Sequence, residues 1–295
     1  MATAYLFPGQ GSQSVGMGQV HYNNNKQFAS YVDQANDVLG FDLKEIMFEG
    51  PEEKLKQTKY TQPAIFLHSV ALYSTLDANP DMVAGHSLGE FSALAACGAL
   101  QFEDAIKIVR RRGKLMQQAG EENPGTMAAV IGMDDEVVER VCRQATENVG
   151  QEVIAANYNC PGQLVISGDV EAVKKAVELL KEEGCRLAKM LPVSGAFHSS
   201  LMQSAYDGLK ENLESLEISR PNCPIYSNYT AEPTTDPEEI RLNVLHQLLN
   251  PVLWTQTLQN MHKDGADAFV EVGSGNVLQG LVKRTLDDVE INGYK

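Results

Sequence analysis

Cysteine is scarce in this chain, and its number and spacing exclude two familiar kinds of scaffold. Five cysteines occur among 295 residues, and no two of them form a C-x-x-C pair. A disulfide framework needs an even number of cysteines, whereas structural zinc sites usually draw on closely spaced ones. We therefore expect free, buried thiols, with neither a disulfide framework nor a metal site.

Basic residues are also few. The chain carries 24 lysines and arginines against 39 aspartates and glutamates, which gives a formal net charge of −15 at pH 7. Proteins that bind nucleic acids neutralise phosphates with a basic surface, so this balance argues against a nucleic-acid partner. It indicates instead a solvated acidic surface.

Long apolar runs are missing as well. No run of eighteen apolar residues occurs, whereas a membrane-spanning helix needs about 20. Met1 leads almost directly into a short apolar strand rather than into a charged and then apolar leader. The sequence therefore predicts a cytoplasmic protein with no membrane partner, and its hydrophobic content of 43% is typical of a globular core.

What the chain does contain is a strand–turn–helix pattern around one serine. Val83 and Ala84 end an apolar strand, Gly85-His86-Ser87-Leu88-Gly89 matches G-x-S-x-G, and the small residues of 91–100 predict a helix. Such a turn projects the serine hydroxyl outward at a helix N-terminus, where a nucleophile is useful. Glycine is needed at both ends of this five-residue pattern, Gly85 and Gly89, because side chains there would collide with the crossing helix and strand. Ser87 is therefore the candidate nucleophile.

The order of the other predicted elements favours a mainly parallel sheet with both faces covered. Helical spacing occurs at 26–39 and 51–56, and a further helix is predicted to begin at Tyr60, with Pro63 in its first turn. The last predicted strand covers 268–272. Helices that lead into a strand and an elbow indicate an α/β fold.

Between residues 124 and 195 the pattern changes to β-α-β-β-α-β. Strands are predicted at 126–132, 152–157, 163–167 and 185–193, and helices at 134–147 and 170–183. This order is that of the split βαβ, ferredoxin-like unit. Its length of about 70 residues suits an inserted subdomain.

A nucleophilic serine needs a base, and six histidines are available. His86 adjoins Ser87 on the turn, where neighbouring side chains diverge. His21 is predicted in a polar loop, and the histidines at 68, 246 and 262 lie in helical patterns. His198 follows the inserted unit, at the junction where a side chain can face the elbow across a cleft, so it is the candidate base.

One basic cluster stands out in an otherwise acidic chain. Arg110-Arg111-Arg112-Gly113-Lys114 lies in a helix predicted over 103–118. Taken alone, such a cluster is either a solvated helix face with ordinary ion pairs or part of a functional site.

Seven motifs of the chain, in this order, resemble those of one enzyme family, the malonyl-CoA:acyl-carrier-protein transacylases. The motifs are Pro8-Gly9-Gln10-Gly11-Ser12-Gln13, Thr61-Gln62-Pro63-Ala64, Gly85-His86-Ser87-Leu88-Gly89-Glu90, Arg112-Gly113-Lys114, Asn157-Tyr158-Asn159 with Pro161-Gly162-Gln163, Gly195-Ala196-Phe197-His198-Ser199, and Asn250-Pro251-Val252-Leu253-Trp254. The resemblance implies an α/β-hydrolase-like core, from residues 1–123 and 196–295, with a ferredoxin-like subdomain at 124–195.

By this resemblance Ser87 is the nucleophile and His198 the base, and a main-chain carbonyl near Gln247 orients His198 in place of a triad acid. The malonyl group would pass from malonyl-CoA to Ser87, and then to the phosphopantetheine thiol of acyl carrier protein in fatty-acid synthesis. The resemblance implies a ping-pong scheme without a cofactor of the enzyme's own.

The resemblance also implies how the substrate is held. Leu88 would supply a backbone N–H to the oxyanion, Gln10 would line the same site, and Arg112 would bind the free carboxylate. Phe197 and Leu88 are similar to the residues of malonyl-selective members. Asn276 departs from the family's usual Gly-Pro-Gly-Lys loop, so no phosphate or carrier contact is carried over to it.

Three other functions stay open at this point. A trans-acting polyketide acyltransferase would share the whole site, and a serine acyl hydrolase or editing enzyme would share Ser87 and His198 but use water as the acceptor. A catalytically silent carrier-binding module would need neither residue. For the carrier itself we predict a local basic rim of Arg186, Lys189, Lys283 and Arg284, because the chain is acidic overall and so are acyl carrier proteins as a family.

Overall fold

Helices and strands alternate through most of the chain in the computed structural model, which describes residues 2–193 and 195–295. The strands are β1 Ala2–Phe7, β2 Met82–Gly85, β3 Gly125–Ile131, β4 Val153–Cys160, β5 Gln163–Asp169, β6 Leu187–Met190, β7 Ile225–Tyr226, β8 Pro233–Thr234, β9 Ala266–Val272 and β10 Glu290–Tyr294. The α-helices are α1 Gln19–Asn24, α2 Lys26–Leu39, α3 Leu43–Phe48, α4 Glu52–Leu55, α5 Thr58–Ser74, α6 Gly89–Ala96, α7 Phe102–Glu122, α8 Asp135–Val149, α9 Val170–Glu182, α10 Gln203–Glu214, α11 Pro237–His246, α12 Trp254–Lys263 and α13 Val277–Thr285. Ser194, in the segment predicted to return the chain to the core, lies outside the described residues.

The larger sheet has the strand order β10-β9-β1-β2-β7-β8, and every neighbouring pair is parallel except β7 with β8. The prediction of an α/β fold with a mainly parallel sheet is therefore confirmed. At the carboxyl edge of the sheet Phe7 pairs with Gly85, the last residues of β1 and β2. Because parallel strands end at the same edge, the loop after Phe7 and the turn after Gly85 lie side by side.

The smaller sheet has the order β4-β5-β3-β6, and its three pairings are all antiparallel. This is the strand order of a ferredoxin-like unit, and apolar faces of α8 and α9 pack with its strands in a separate hydrophobic cluster. The strands run from residue 125 to residue 190, inside the predicted interval of 124–195. The division into domains at those boundaries stays a prediction.

The two sheets are joined by the segment that precedes α12. The N–H of Tyr158 donates to the carbonyl of Val252 at 2.9 Å, and the N–H of Val252 donates to the carbonyl of Ala156 at 2.9 Å. On the other side, the N–H of Leu253 donates to the carbonyl of Asn228 at 2.9 Å. The motif around Val252 thus ties β4 of the smaller sheet to the core.

Helix α5 differs from its prediction, because it begins at Thr58 and places Pro63 in its interior. A proline there has no N–H for the carbonyl one turn earlier, which belongs to Lys59. The guanidinium of Arg110, on α7, donates to that carbonyl instead. A contact from a distant helix therefore makes the interior proline acceptable.

The prediction that 268–272 is the last strand is wrong, since β10 follows at the edge of the larger sheet and pairs in parallel with β9. Its residues are mostly exposed, and only Ile291 is partly buried. A polar edge strand carries little alternation of apolar and polar residues, so the pattern gives no signal. The strand predicted at 185–193 is also shorter, covering 187–190. No helix in the part of the chain that the structure describes is long and apolar enough to cross a membrane.

Candidate active site

Ser87 lies on the sharp turn between β2 and α6, with a φ of 51° that few side-chain-bearing residues adopt. A Cβ on Gly85 would overlap the backbone of Gly89, and a Cβ on Gly89 would overlap the carbonyl of Phe7. The turn is held from the other side by Asn228, which accepts the N–H of Ser87 at 2.6 Å and donates to the Gly85 carbonyl at 2.6 Å. These contacts fix a strained backbone around the serine.

His198 is placed across the cleft from the turn. Its Nε2 lies 2.9 Å from Ser87 Oγ, and its Nδ1 lies 2.8 Å from the main-chain oxygen of Gln247. A carbonyl only accepts, so Nδ1 carries the proton and Nε2 is free to accept the serine proton. Burial, reinforced by the charge of Arg112, lowers the pKa of His198 to about 3. The imidazole is therefore neutral at pH 7, as a general base must be.

Arg112, on α7, is fully buried beside Ser87. Its Nη1 donates to Gln62 Oε1 at 2.9 Å, and its Nη2 donates to Gln247 Oε1 at 2.8 Å and to Ser87 Oγ at 3.3 Å. Its Nε has no partner among the described residues, and none of their carboxylates forms an ion pair with the guanidinium. Burial lowers the pKa of Arg112 to about 10, against an opposing effect of Glu90, so the cation persists at pH 7.

A cavity of about 310 Å³ opens in front of Ser87 and His198. Its walls come from the loops after β1 and β2, from strands of the smaller sheet and from helices such as α7 and α13. They are largely apolar, with Met116, Met127, Val165, Leu191, Val193, Phe197 and Leu281 among them. Gln10 and Leu88 line the same cavity, and neither of their backbone N–H groups donates to another described residue. Two unpaired N–H groups beside a nucleophile can stabilise an oxyanion.

The other histidines lie away from the serine hydroxyl. His86 lines the cavity, but its Nε2 faces Asn159 Oδ1 at 2.8 Å and its ring meets the edge of Trp254. His68 is buried in α5, where burial lowers its pKa to about 4. His21, predicted in a loop, lies in α1, and its ring packs near those of Phe28 and His68.

Three residues of the site had no assigned role in the sequence analysis. Gln62 was part of a recognised motif, and the structure shows that it accepts a hydrogen bond from Arg112. Glu90 ended the elbow motif, and the structure places its carboxylate against Gln247. Asn228 belongs to no motif, and only the packing of the 228 loop against the elbow brings it to Ser87.

Three of the four residues of the predicted basic rim line two surface grooves. Arg186 and Arg284 line one of about 380 Å³, and Lys283 and Arg284 line another of about 500 Å³. Both grooves include Gln163, which also lines the cavity in front of Ser87. Lys189 is exposed on β6 but lines neither groove.

The glycine-rich loop after β9 leads into α13. Asn276 takes the N-cap position of that helix without a side-chain capping bond. The buried carboxylate of Glu271 instead accepts the N–H groups of Leu278 and Gln279, each at 3.1 Å. Within the ranges that the structure describes, no cluster of three or more metal-ligating side chains occurs.

Comparison with known proteins gives consistent matches over nearly the whole chain. Residues 4–294 match a family model described as an acyl transferase domain. A malonyl CoA-acyl carrier protein transacylase of Haemophilus influenzae is 44% identical over 292 residues, covering 97% of this chain and 93% of the relative.

Solved structures agree with this match. An acyl carrier protein S-malonyltransferase from Vibrio cholerae is 40% identical, with a TM-score of 0.95 and coverage of 100% of this chain and 97% of that one. A malonyl-transacylase solved in complex with a type II PKS acyl-carrier protein is 39% identical, with a TM-score of 0.95 and coverage of 99% and 95%.

Proposed function

The chain belongs to the acyl transferase family, and from this premise we propose that it transfers the malonyl group of malonyl-CoA to the phosphopantetheine thiol of acyl carrier protein. The observation that carries the proposal is a buried guanidinium, without a directly paired carboxylate, within 3.3 Å of the candidate nucleophile. A buried cation of this kind is costly unless a ligand anion completes it.

The first half-reaction loads the enzyme. Ser87 Oγ attacks the thioester carbon of malonyl-CoA while His198 Nε2 accepts its proton, and the N–H groups of Leu88 and Gln10 hold the oxyanion. The carbonyl then re-forms, the carbon–sulfur bond breaks, and CoA leaves with the proton from His198. The product is a malonyl ester on Ser87.

The second half-reaction repeats these steps with a different thiol. His198 takes the proton of the phosphopantetheine thiol, whose sulfur attacks the ester carbonyl in the same oxyanion site. Collapse of the intermediate returns the proton to Ser87 Oγ and leaves the malonyl group on the carrier. The main-chain oxygen of Gln247 keeps Nδ1 of His198 protonated through both halves. The scheme invokes no resident metal or cofactor.

Arg112 supplies the preference for a carboxylate. Its guanidinium is held by two amide oxygens, of Gln62 and Gln247, and its planar fork suits a carboxylate bound next to the Ser87 ester. A hydrolase for uncharged acyl chains would desolvate this cation for no gain, which argues against the hydrolase alternative. Transfer to a polyketide carrier uses the same site, and one structural relative was solved with such a carrier.

Fatty-acid synthesis is the pathway we propose, in the cytoplasm. All five cysteines are free thiols in the structure. Free thiols suit a reducing compartment, which supports the proposed location.

The proposal is tested by following acylation with malonyl-CoA and with acetyl-CoA. Intact mass should show one malonyl adduct that peptide mapping assigns to Ser87 and that is absent from Ser87→Ala. Because a hydrogen bond to a charged group contributes about 1.5–3 kcal/mol, Arg112→Ala should lower kcat/KM for malonyl-CoA by roughly ten- to a hundredfold.

Acetyl-CoA is the control substrate, since it has no carboxylate and should lose nothing comparable in Arg112→Ala. An adduct that persists in Ser87→Ala would contradict the assignment of the nucleophile. Rapid release of free malonate without a carrier would favour the hydrolase.

A further inference from the structure

Glu90 is a buried carboxylate that the proposed reaction does not use. It lies in the first turn of α6, only 2% exposed, three residues after the nucleophile. Its Oε2 accepts from Gln247 Nε2 at 2.5 Å and from the N–H of Asn228 at 3.3 Å. The carboxylate therefore touches both residues that hold the catalytic pair: Asn228 holds Ser87, and Gln247 holds His198.

Gln247 makes contacts of three kinds, and two of them depend on which way its side-chain amide faces. Its Oε1 accepts from Arg112 Nη2, and its Nε2 donates to Glu90 and, at 3.1 Å, to the Ser87 carbonyl. A flipped amide would set an NH₂ group against the guanidinium and an oxygen against two other oxygens. Its contact with His198 uses the main chain and does not change with a flip.

Of the two acceptors for Nε2, Glu90 Oε2 lies nearer, at 2.5 Å against 3.1 Å for the Ser87 carbonyl. Burial raises the pKa of Glu90 to about 7, against the opposing effect of its hydrogen bonds with Gln247 and Asn228, so the position of its acceptor oxygen matters more here than a full charge. We propose that Glu90 is a positioning residue for the malonyl carboxylate: it fixes the orientation of the Gln247 amide, which in turn aims the Arg112 guanidinium at the site beside Ser87. This inference rests on the proposed function.

The proposal separates substrate selectivity from catalysis. Loss of the Glu90 contact releases the Gln247 side chain and hence Arg112, but leaves the main-chain bond that orients His198. Acylation by malonyl-CoA should therefore suffer more than acylation by acetyl-CoA. A role limited to the stability of α6 or of the elbow would lower both rates together.

Three variants are compared for their acylation by malonyl-CoA and by acetyl-CoA. Glu90→Asp withdraws the carboxylate by one methylene from Gln247 while keeping its charge. Glu90→Gln keeps an oxygen that can accept both hydrogen bonds but removes the charge. Ser92→Ala is the matched control, because Ser92 is fully buried on the same helix and its hydroxyl has no partner among the described residues.

The readout is the ratio of the Ser87 acylation rates with malonyl-CoA and acetyl-CoA, measured by rapid-quench mass spectrometry on variants shown to be folded by circular dichroism. Glu90→Asp should lower this ratio by about tenfold. Glu90→Gln should keep it within about threefold of the wild type, as should Ser92→Ala. If both rates fall equally in Glu90→Asp, or if Glu90→Gln loses the ratio as fully as Glu90→Asp, the proposal is overturned.

Two further arms cover the remaining outcomes. If Glu90→Asp does not fold, Gln247→Met takes its place, because it removes the side-chain amide and keeps the main-chain carbonyl. A lower malonyl-to-acetyl ratio in Gln247→Met, with an unchanged ratio in Glu90→Gln, supports the proposal. An unchanged ratio in Gln247→Met with a lower one in Glu90→Gln overturns it. A wild-type protein that takes no malonyl group refutes the proposed function itself, whereas normal wild-type loading with an unchanged ratio in Glu90→Asp refutes only this inference.

Discussion

At the scale of single residues, the proposed reaction depends on His198 staying neutral although the Arg112 guanidinium lies close to Ser87. His198→Ala should slow malonyl-Ser87 formation by roughly a hundredfold or more, the usual effect of losing a general base. Rapid-quench intact mass measures the loss. The control is His262→Ala at the end of α12, where the imidazole Nδ1 donates to the Ala266 carbonyl and meets no other side chain in a hydrogen bond among the described residues; it should leave the rate unchanged.

The pKa of His198 gives a second prediction at this scale. Burial and the charge of Arg112 lower the pKa to about 3, so the base is deprotonated from neutral pH down to well below its ordinary value of 6.5. The acid limb of kcat/KM for acetyl-CoA should therefore lie far below pH 6.5. Removing the charge in Arg112→Ala should raise the pKa and move that limb to higher pH.

Acetyl-CoA is chosen for this profile because its acyl group carries no titrating carboxyl. A limb at pH 6.5 in the wild type, or one that does not move in Arg112→Ala, would contradict the assigned cause of the low pKa.

At the scale of elements, the elbow depends on the close crossing of α6 over β1. A Cβ on Gly89 would overlap the Phe7 carbonyl, which is backbone and cannot swing aside. Gly89→Ala should therefore lower the free energy of unfolding by about 1–3 kcal/mol or more, as overpacking does, and should also slow acylation. Urea denaturation measures the first effect.

Gly280→Ala, in α13, is the matched control for that substitution. A Cβ there meets nothing within 4 Å, and the glycine is helical. Alanine should therefore stabilise the helix by up to about 1 kcal/mol. Equal effects at Gly89 and Gly280 would mean that the crossing is not tight.

At the scale of the whole molecule, a net charge of −15 opposes the approach of an acidic carrier, so productive docking needs local positive charge. Arg186 and Arg284 line one groove, which shares Gln163 with the cavity in front of Ser87. Arg186→Glu with Arg284→Glu should raise KM for the carrier severalfold and leave malonyl-Ser87 formation nearly unchanged. Steady-state transfer at fixed ionic strength measures the first, and intact mass the second.

Lys174→Glu with Lys175→Glu, on α9, makes the same change in net charge away from the grooves and is the control; Lys174 is exposed and Lys175 half-buried. A similar rise in KM for both double variants would indicate long-range repulsion alone. No rise in either would place the carrier elsewhere.

The sequence by itself determined the features that depend on local geometry. G-x-S-x-G between a strand and a helix identified the position of Ser87, because only that spacing of glycines permits the turn. The alternation of six elements identified the ferredoxin-like pattern, and the return from it singled out His198. The polar edge strand β10 was missed because its residues show little alternation of apolar and polar character. The interior position of Pro63 was missed because the contact that makes it acceptable comes from Arg110 on another helix.

Only the tertiary structure decided which side chains of the site contact one another. Arg112 meets Gln62 across 50 positions of sequence, and Glu90 meets Gln247 across 157. Such contacts depend on how α5, α6 and α7 pack and on where the 228 and 247 segments cross the carboxyl edge of the larger sheet. Periodicity reports which face of an element is buried, but a buried polar side chain finds its partner only when the elements pack together.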